Sequence, residues 1–465
     1  MIRIDVLPDD VLLEIFDFYV DFDASNRYEN RTEVEGWQLL VHVCQRWRSL
    51  VLESPRRLNL RLYCTPETPV KYTLDVWPAL PLIIYGGMES SSSTDNVIAA
   101  LGQSSRVCQL ELEGLVDRQL EEVLAAMQVP FPELTELWLG SEGGTQLVIP
   151  DSFLGGSVPR LRYFTLDGIP FPGLPKLLLS ATHLVRLWLT NIPHSGYISP
   201  EATVALISVL PSLRSLFLEF QSPQSRPDQE IRRPHPSKRS VIPALIALHF
   251  KGVIEYLEDL VTRIDAPQLK RMRITLFNQI DFDIPRLTQF INCTPKLRAP
   301  DAHVQFDDYH ARVVLRPEFR TLEIAISCRE PDWQLSSIEQ VCNSSLNSLP
   351  SVEDLYIEHR YLQPLWKNDA IENTRWLQLL LPFTAVKNLY LSKVFAPGIA
   401  ATLQELAGGR ITEVLPSLQN IFVEGLEPWG RFQENTRQFV VARELSNHTI
   451  IAISVWDKYS NTKPM

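Results

Sequence analysis

The chain has 465 residues, of which 45% are hydrophobic and 21% charged, the balance of a folded protein too long for one compact core. Two or three domains, or an array that grows in one direction, are the choices. A formal net charge of -11, from 44 basic and 55 acidic residues, argues against a general nucleic-acid binder, whose affinity rests on neutralising phosphates.

Six cysteines (Cys44, Cys64, Cys108, Cys293, Cys328 and Cys342) lie far apart with no CxxC pair. They suggest buried, reduced thiols, with neither a metal site nor a disulfide framework. The charged start Met1–Asp10 does not suit a secretory signal, and no apolar run approaches about 18 residues. A cytoplasmic or nuclear protein without a membrane span is expected, with no cofactor.

Residues 1–56 read as a helical module. In Leu7-Pro8-Asp9-Asp10 the proline suits a first helical turn, and the two carboxylates sit at the positive end of the helix dipole. Val11, Leu12, Ile15, Phe16 and Tyr19 then form an apolar stripe. Asp21–Gly36 is polar and aperiodic, a loop. A second helix is expected through Leu39, Leu40, Val43, Cys44, Trp47, Leu50 and Val51, with Gln45, Arg46 and Arg48 facing away; Pro55 follows it. Two such helices cannot bury enough surface alone.

The opening Leu-Pro, the Ile15-Phe16 pair, Val43-Cys44-Gln45-Arg46-Trp47-Arg48 and Glu53-Ser54-Pro55 come in the order of an F-box, which this segment resembles. The loop Asp21–Gly36 is longer than that family's usual one. The resemblance covers about an eighth of the chain. It implies docking of a Skp-family adaptor, and through it a cullin scaffold, by Leu7, Pro8, Leu12, Ile15, Val43, Cys44 and Trp47. The alternative is that the helices only cap the end of a repeat array.

Residues 57–98 read as a link with two opening strands, Leu58–Leu62 and Leu80–Tyr85, and a flexible loop at Gly86–Asp95 around four serines. From 99 to 445 one pattern recurs: apolar, two others, apolar, one other, apolar. It appears at Val107-Leu110-Leu112, Leu134-Leu137-Leu139, Leu161-Phe164-Leu166, Leu184-Leu187-Leu189, Leu213-Leu216-Leu218, Leu245-Leu248-Phe250 and Leu269-Met272-Ile274. It returns at Phe319-Leu322-Ile324, Val352-Leu355-Ile357, Val386-Leu389-Leu391 and Leu418-Ile421-Val423. First anchors are 23 to 34 residues apart, except for one gap of 50 before Phe319. There a weak unit near Leu297 is spoiled by Pro300. The array resembles irregular leucine-rich repeats.

In each unit the last two apolar residues enter a core and the residue between them faces the other way. Stacked turns then give an α/β fold: a short helical F-box followed by a curved leucine-rich-repeat solenoid with a parallel sheet on the concave side. Helices are expected at Leu120–Met127, Ala202–Leu210, Ile254–Ile264 and Trp376–Leu381, with a capping box at Ser336–Glu339 opening another. Residues 446–465 supply a terminal strand, Thr449–Trp456, and a tail.

The outward residues are Glu111, Trp138, Thr165, Trp188, Phe217, His249, Arg273, Glu323, Tyr356, Tyr390 and Phe422. Six are aromatic, against 9% in the whole chain. Trp138, Trp188, Phe217, Tyr356, Tyr390 and Phe422 are therefore candidates to contact a target protein, since exposed aromatics make interface hot spots. Otherwise they stack on one another and cover the sheet. The insertion Gln221–Pro243, with Arg232, Arg233, Lys238 and Arg239, reads as a solvated loop or a nuclear address. No GxSxG, HExxH, GxGxxG or Walker motif is present, so an enzyme is not expected. The reading is a substrate-recognition subunit of a cullin-type ubiquitin ligase; a repeat scaffold without ligase association is the alternative.

Overall fold

The computed structural model describes residues 7–16, 36–53, 60–77, 79–87, 91–142, 145, 147–171, 176–223, 239–277, 284–297, 300–316, 320–346, 348–360, 373–406, 410–425, 429–448 and 450–456. The chain forms two compact units, Met1–Tyr197 and Ile198–Met465. The loop 21–35, most of the basic insertion, the anchor Phe319 and the tail 457–465 lie outside the described residues.

The first unit opens with α1 (residues 9–16), α2 (Gly36–Val41) and α3 (Gln45–Glu53). The single second helix expected from the sequence is thus two short ones, parted by the turn at His42–Cys44. β1 (Leu60–Tyr63), α4 (Val70–Val76), β2 (Leu82–Gly87) and α5 (Ser91–Leu101) follow. The serine run is therefore mostly helical. Ser93 and Thr94 are buried in the first turn, and Val97, Ala100 and Leu101 pull the helix into the core. Serines tolerate a helix start better than its middle, so composition misled here.

Next come β3 (Val107–Leu115), α6 (Asp117–Ala126), β4 (Glu136–Ser141), β5 (Tyr163–Asp167), α7 (Lys176–Ser180) and β6 (Arg186–Ile192). The six strands of this unit lie in chain order and are parallel, with Leu110, Leu137, Phe164 and Leu187 in one register row. All four are buried. Each buried aliphatic contributes roughly 1.5–3 kcal/mol, so stacking the turns is what holds the unit together.

The second unit begins with α8 (Pro200–Ser208), where the Ser199 hydroxyl accepts from the Ala202 amide and proline fills the first turn. β7 (Ser215–Phe220), the short β8 (Ser240–Val241), β9 (Ala247–Gly252), α9 (Ile254–Arg263), the short β10 (Ile264–Asp265), β11 (Arg271–Phe277) and α10 (Pro285–Asn292) come next. The Glu258 carboxylate of α9 accepts from the amides of Arg286 and Leu287, so one turn caps the helix of the next.

β12 (Asp301–Phe306), β13 (His310–Leu315) and β14 (Thr321–Ser327) then form an antiparallel meander. It is followed by α11 (Pro331–Ser345), β15 (Asp354–His359), α12 (Asn373–Leu380), β16 (Asn388–Leu391), α13 (Ala396–Glu405), β17 (Asn420–Glu424), α14 (Trp429–Leu445) and β18 (Ala452–Trp456). α11 starts at Pro331, so Ser336 lies inside it and opens nothing.

Strand order in this unit is β7-β9-β11-β14-β13-β12-β15-β16-β17-β18, while β8 and β10 pair separately. β14 continues the parallel run from β11, and β15 resumes it beside β12. The 50-residue gap in the repeat spacing is this meander, two extra strands inserted into a parallel sheet. Leu322, Ile324, Leu355, Ile357, Leu389, Leu391, Ile421 and Val423 are all buried, as the repeat pattern requires.

Candidate binding faces

At the N-terminus the two sides of α1 differ. Leu12 and Phe16, four residues apart, are fully buried; Val11 and Ile15, also four apart, are 39% and 46% exposed. Leu39 and Val43 are exposed as well. The inner side is tied by Phe16 against Trp47, ring centroids 4.7 Å apart. Arg46 adds a salt bridge to Asp9 and donates to the Leu7 carbonyl. Of the seven adaptor candidates, Pro8, Ile15, Val43 and Cys44 are exposed and Leu7 and Trp47 half-buried. Leu12 is corrected to an internal packing residue, because it shares the inner side of α1 with Phe16.

On the first unit's open sheet face, Trp138 is 38% exposed, in the same register row as Tyr63 at 41%. Trp188 is half-buried because the Arg186 guanidinium lies 4.6 Å over it, and 4.9 Å over Tyr163. Beside Trp138, burial and then the neighbouring carboxylates Glu113 and Glu136 push the Glu111 carboxyl up. Burial also raises Glu136, against the charges of Arg186 and Arg162. The face is mixed in sign and rich in rings.

In the second unit the outward positions form one row: Phe217, His249, Arg273, Glu323, Val314, His303, Tyr356, Tyr390 and Phe422. Phe217 and His249 touch at 4.6 Å. Further along, His303, Tyr356, Tyr390 and Phe422 stack in sequence at 4.3, 4.2 and 4.6 Å. Trp456 closes over the stack, 5.5 Å from Tyr390 and 5.8 Å from Tyr356.

Tyr390 is consequently 3% and Phe422 8% exposed, so the expectation that both face solvent is corrected. Identical register heights on parallel strands set ring on ring, and the stack covers itself. Tyr356 and Phe217 remain half-exposed. Beside the rings, Asn388 donates to Asp354 and Asn420 to Asn388, a polar ladder at 2.6 and 2.7 Å.

Sequence reading missed a basic cluster on the meander, Arg312, Arg316 and His310 on or beside β13, with Arg360 following β15. Asp307 anchors it. Its carboxylate accepts from the Tyr309 and His310 amides and pairs with Arg312. Burial pushes the Asp307 carboxyl up, but His310, the Tyr309 amide and Arg312 outweigh this and hold it well below the usual carboxylate range. The signal was the alternation of Asp301–Phe306 and His310–Leu315, with Leu315 the one leucine between them.

No protein-family model matches this chain, and no curated protein does either. One solved structure to which it is similar is the leucine-rich repeat-containing protein LegL7 from Legionella pneumophila. The likeness covers 82% of this chain and 97% of that one, at 14% identity and a TM-score of 0.30. The repeat architecture stands on this chain's own strand order and register. Among the described residues no helix is long and apolar enough to cross a membrane.

Proposed function

We propose that the chain is a substrate receptor of a cullin-type ubiquitin ligase. Its N-terminal helices dock a Skp-family adaptor, and through it a cullin scaffold, while the repeats hold a target protein. The observation that carries this is the outward apolar group Val11, Ile15, Leu39 and Val43, set on helices whose motif order resembles an F-box. Apolar side chains left outside while their helical neighbours are fully buried mark a contact surface. The chain itself is not an enzyme in this reading. It supplies proximity, holding a target lysine where the ligase's other subunits deliver ubiquitin.

The target side falls to the exposed and half-exposed rings, Trp138, Trp188, Phe217 and Tyr356. A pulldown tests the adaptor side. Ile15→Asp with Val43→Asp alters only exposed positions, so it should abolish capture of a Skp-family adaptor while leaving thermal unfolding unchanged. Wild-type chain that captures no adaptor supports a repeat scaffold instead.

A further inference from the structure

In the second unit a groove of about 330 Å³ opens on the sheet face where the meander is inserted. Arg273, His310, Arg312, Arg316, Glu323 and Arg360 line it. Four guanidinium groups thus face a single carboxylate on the wall, with a second carboxylate, Asp307, buried under Arg312. In a chain of net charge -11 this is a local reversal of sign.

Two of the arginines are held. Arg273 Nε donates to Glu323 at 2.9 Å, and Arg312, only 13% exposed, lies between Asp307 and the other oxygen of Glu323 at 3.6 Å. The other two are not. Arg316 and Arg360 are exposed, and neither side chain has an ion-pair or hydrogen-bond partner among the described residues. Within the wall, the Arg312 Nε donor is buried without a partner among the described residues. A buried donor left unmade costs free energy that an incoming acceptor would restore.

We propose that this groove binds an oxyanion presented by a protein, either the carboxylates of an acidic stretch or a phosphate on a serine or threonine. Guanidinium groups with free forks suit both. A nucleic acid is disfavoured, because its backbone needs an extended cationic track. Here Glu323 sits inside the cluster, between Arg273 and Arg312, and Glu358 lies beside Gln305 at its edge. The inference rests on the reading that the repeats hold a protein target, and is independent of the adaptor.

Fluorescence anisotropy on the full chain tests it, with three labelled 12-residue peptides on one Gly/Ala background. One carries three glutamates, one a single phosphoserine and one three glutamines. At least one anionic peptide should bind about tenfold or more tightly than the glutamine peptide, and Arg316→Gln with Arg360→Gln should remove that advantage. Tighter binding of the phosphoserine peptide assigns phosphate; tighter binding of the glutamate peptide assigns carboxylates. The adaptor-side variant Ile15→Asp with Val43→Asp should bind as wild type, so this result and the pulldown can fail separately. Equal binding of all three peptides, an undiminished double arginine variant, or tighter binding of a 12-nucleotide single-stranded DNA would each overturn the proposal.

Discussion

The rings of Tyr356 and Tyr390 lie 4.2 Å apart and 8° from parallel, on adjacent parallel strands in the same register. With His303, Phe422 and Trp456 they make a continuous aromatic stack near the C-terminal end of the second unit. Tyr390 sits in its middle, so Tyr390→Ala removes contacts on two sides and exposes Trp456. We expect a loss of about 3 kcal/mol, read as a lower urea midpoint. A change under about 0.5 kcal/mol would contradict the stack.

Trp188 makes the contrast. It is half-buried beneath Arg186 rather than enclosed. Trp188→Ala should cost about 1 kcal/mol or less in the same melt, since an exposed cation–π contact contributes about that much. It should also weaken capture of a target protein. A loss as large as that of Tyr390→Ala would place this ring in the core.

Arg443 on α14 is 1% exposed, and its guanidinium donates to carbonyls. These are Ile411, Leu415, Pro416, Leu418 and His448, at 2.9 to 3.2 Å. Burial pushes its pKa down from the usual arginine range. The side chain fixes the segment that leads into β17. Arg443→Met keeps the bulk and orphans buried carbonyls, at about 2–4 kcal/mol. Proteolysis within residues 410–418 should accelerate with it; unchanged cleavage would deny the role.

His249 gives a pH dependence. Burial, then the nearby Arg273 charge, lowers its pKa to about 4, against about 6.5 in an unfolded chain. The imidazole is neutral in the folded protein at pH 7, so its contact with Glu219 at 3.3 Å is not an ion pair there. As pH falls from about 6.5 to about 4 the unfolded chain takes up a proton that the folded chain refuses. Stability is lost across that window, by at most about 3 kcal/mol, and unaffected above it. His249→Gln should flatten that part of the profile in urea midpoints at pH 7.5, 6 and 4.5. Parallel profiles for the two proteins would contradict it.

Much of the fold was legible because each repeat carries its own evidence. Leu137 and Leu139, or Leu389 and Leu391, announce a strand with one buried side, and burial followed at every such pair described. Three things were hidden for physical reasons. The meander pairs β12 with β13 antiparallel, a tertiary choice that local alternation does not encode. The serines at 91–93 are poor in the middle of a helix but acceptable in its first turn. The exposure of Tyr390 and Phe422 depended on which residue stands at the same height one turn away, which spacing near 33 residues does not reveal. The N-terminal candidates fared unevenly for a simpler reason. An apolar stripe says which residues are sticky, and only packing separates Leu12, inside, from Ile15, outside.

Hydrogen–deuterium exchange of the full chain, with and without a purified Skp-family adaptor, tests the central claim most directly. Protection should appear in peptides covering residues 7–16 and 36–53 and vanish in Ile15→Asp with Val43→Asp, while the strands at Val107–Leu115 and Asp354–His359 exchange as before. Identical exchange at the N-terminal helices with saturating adaptor would contradict the receptor reading.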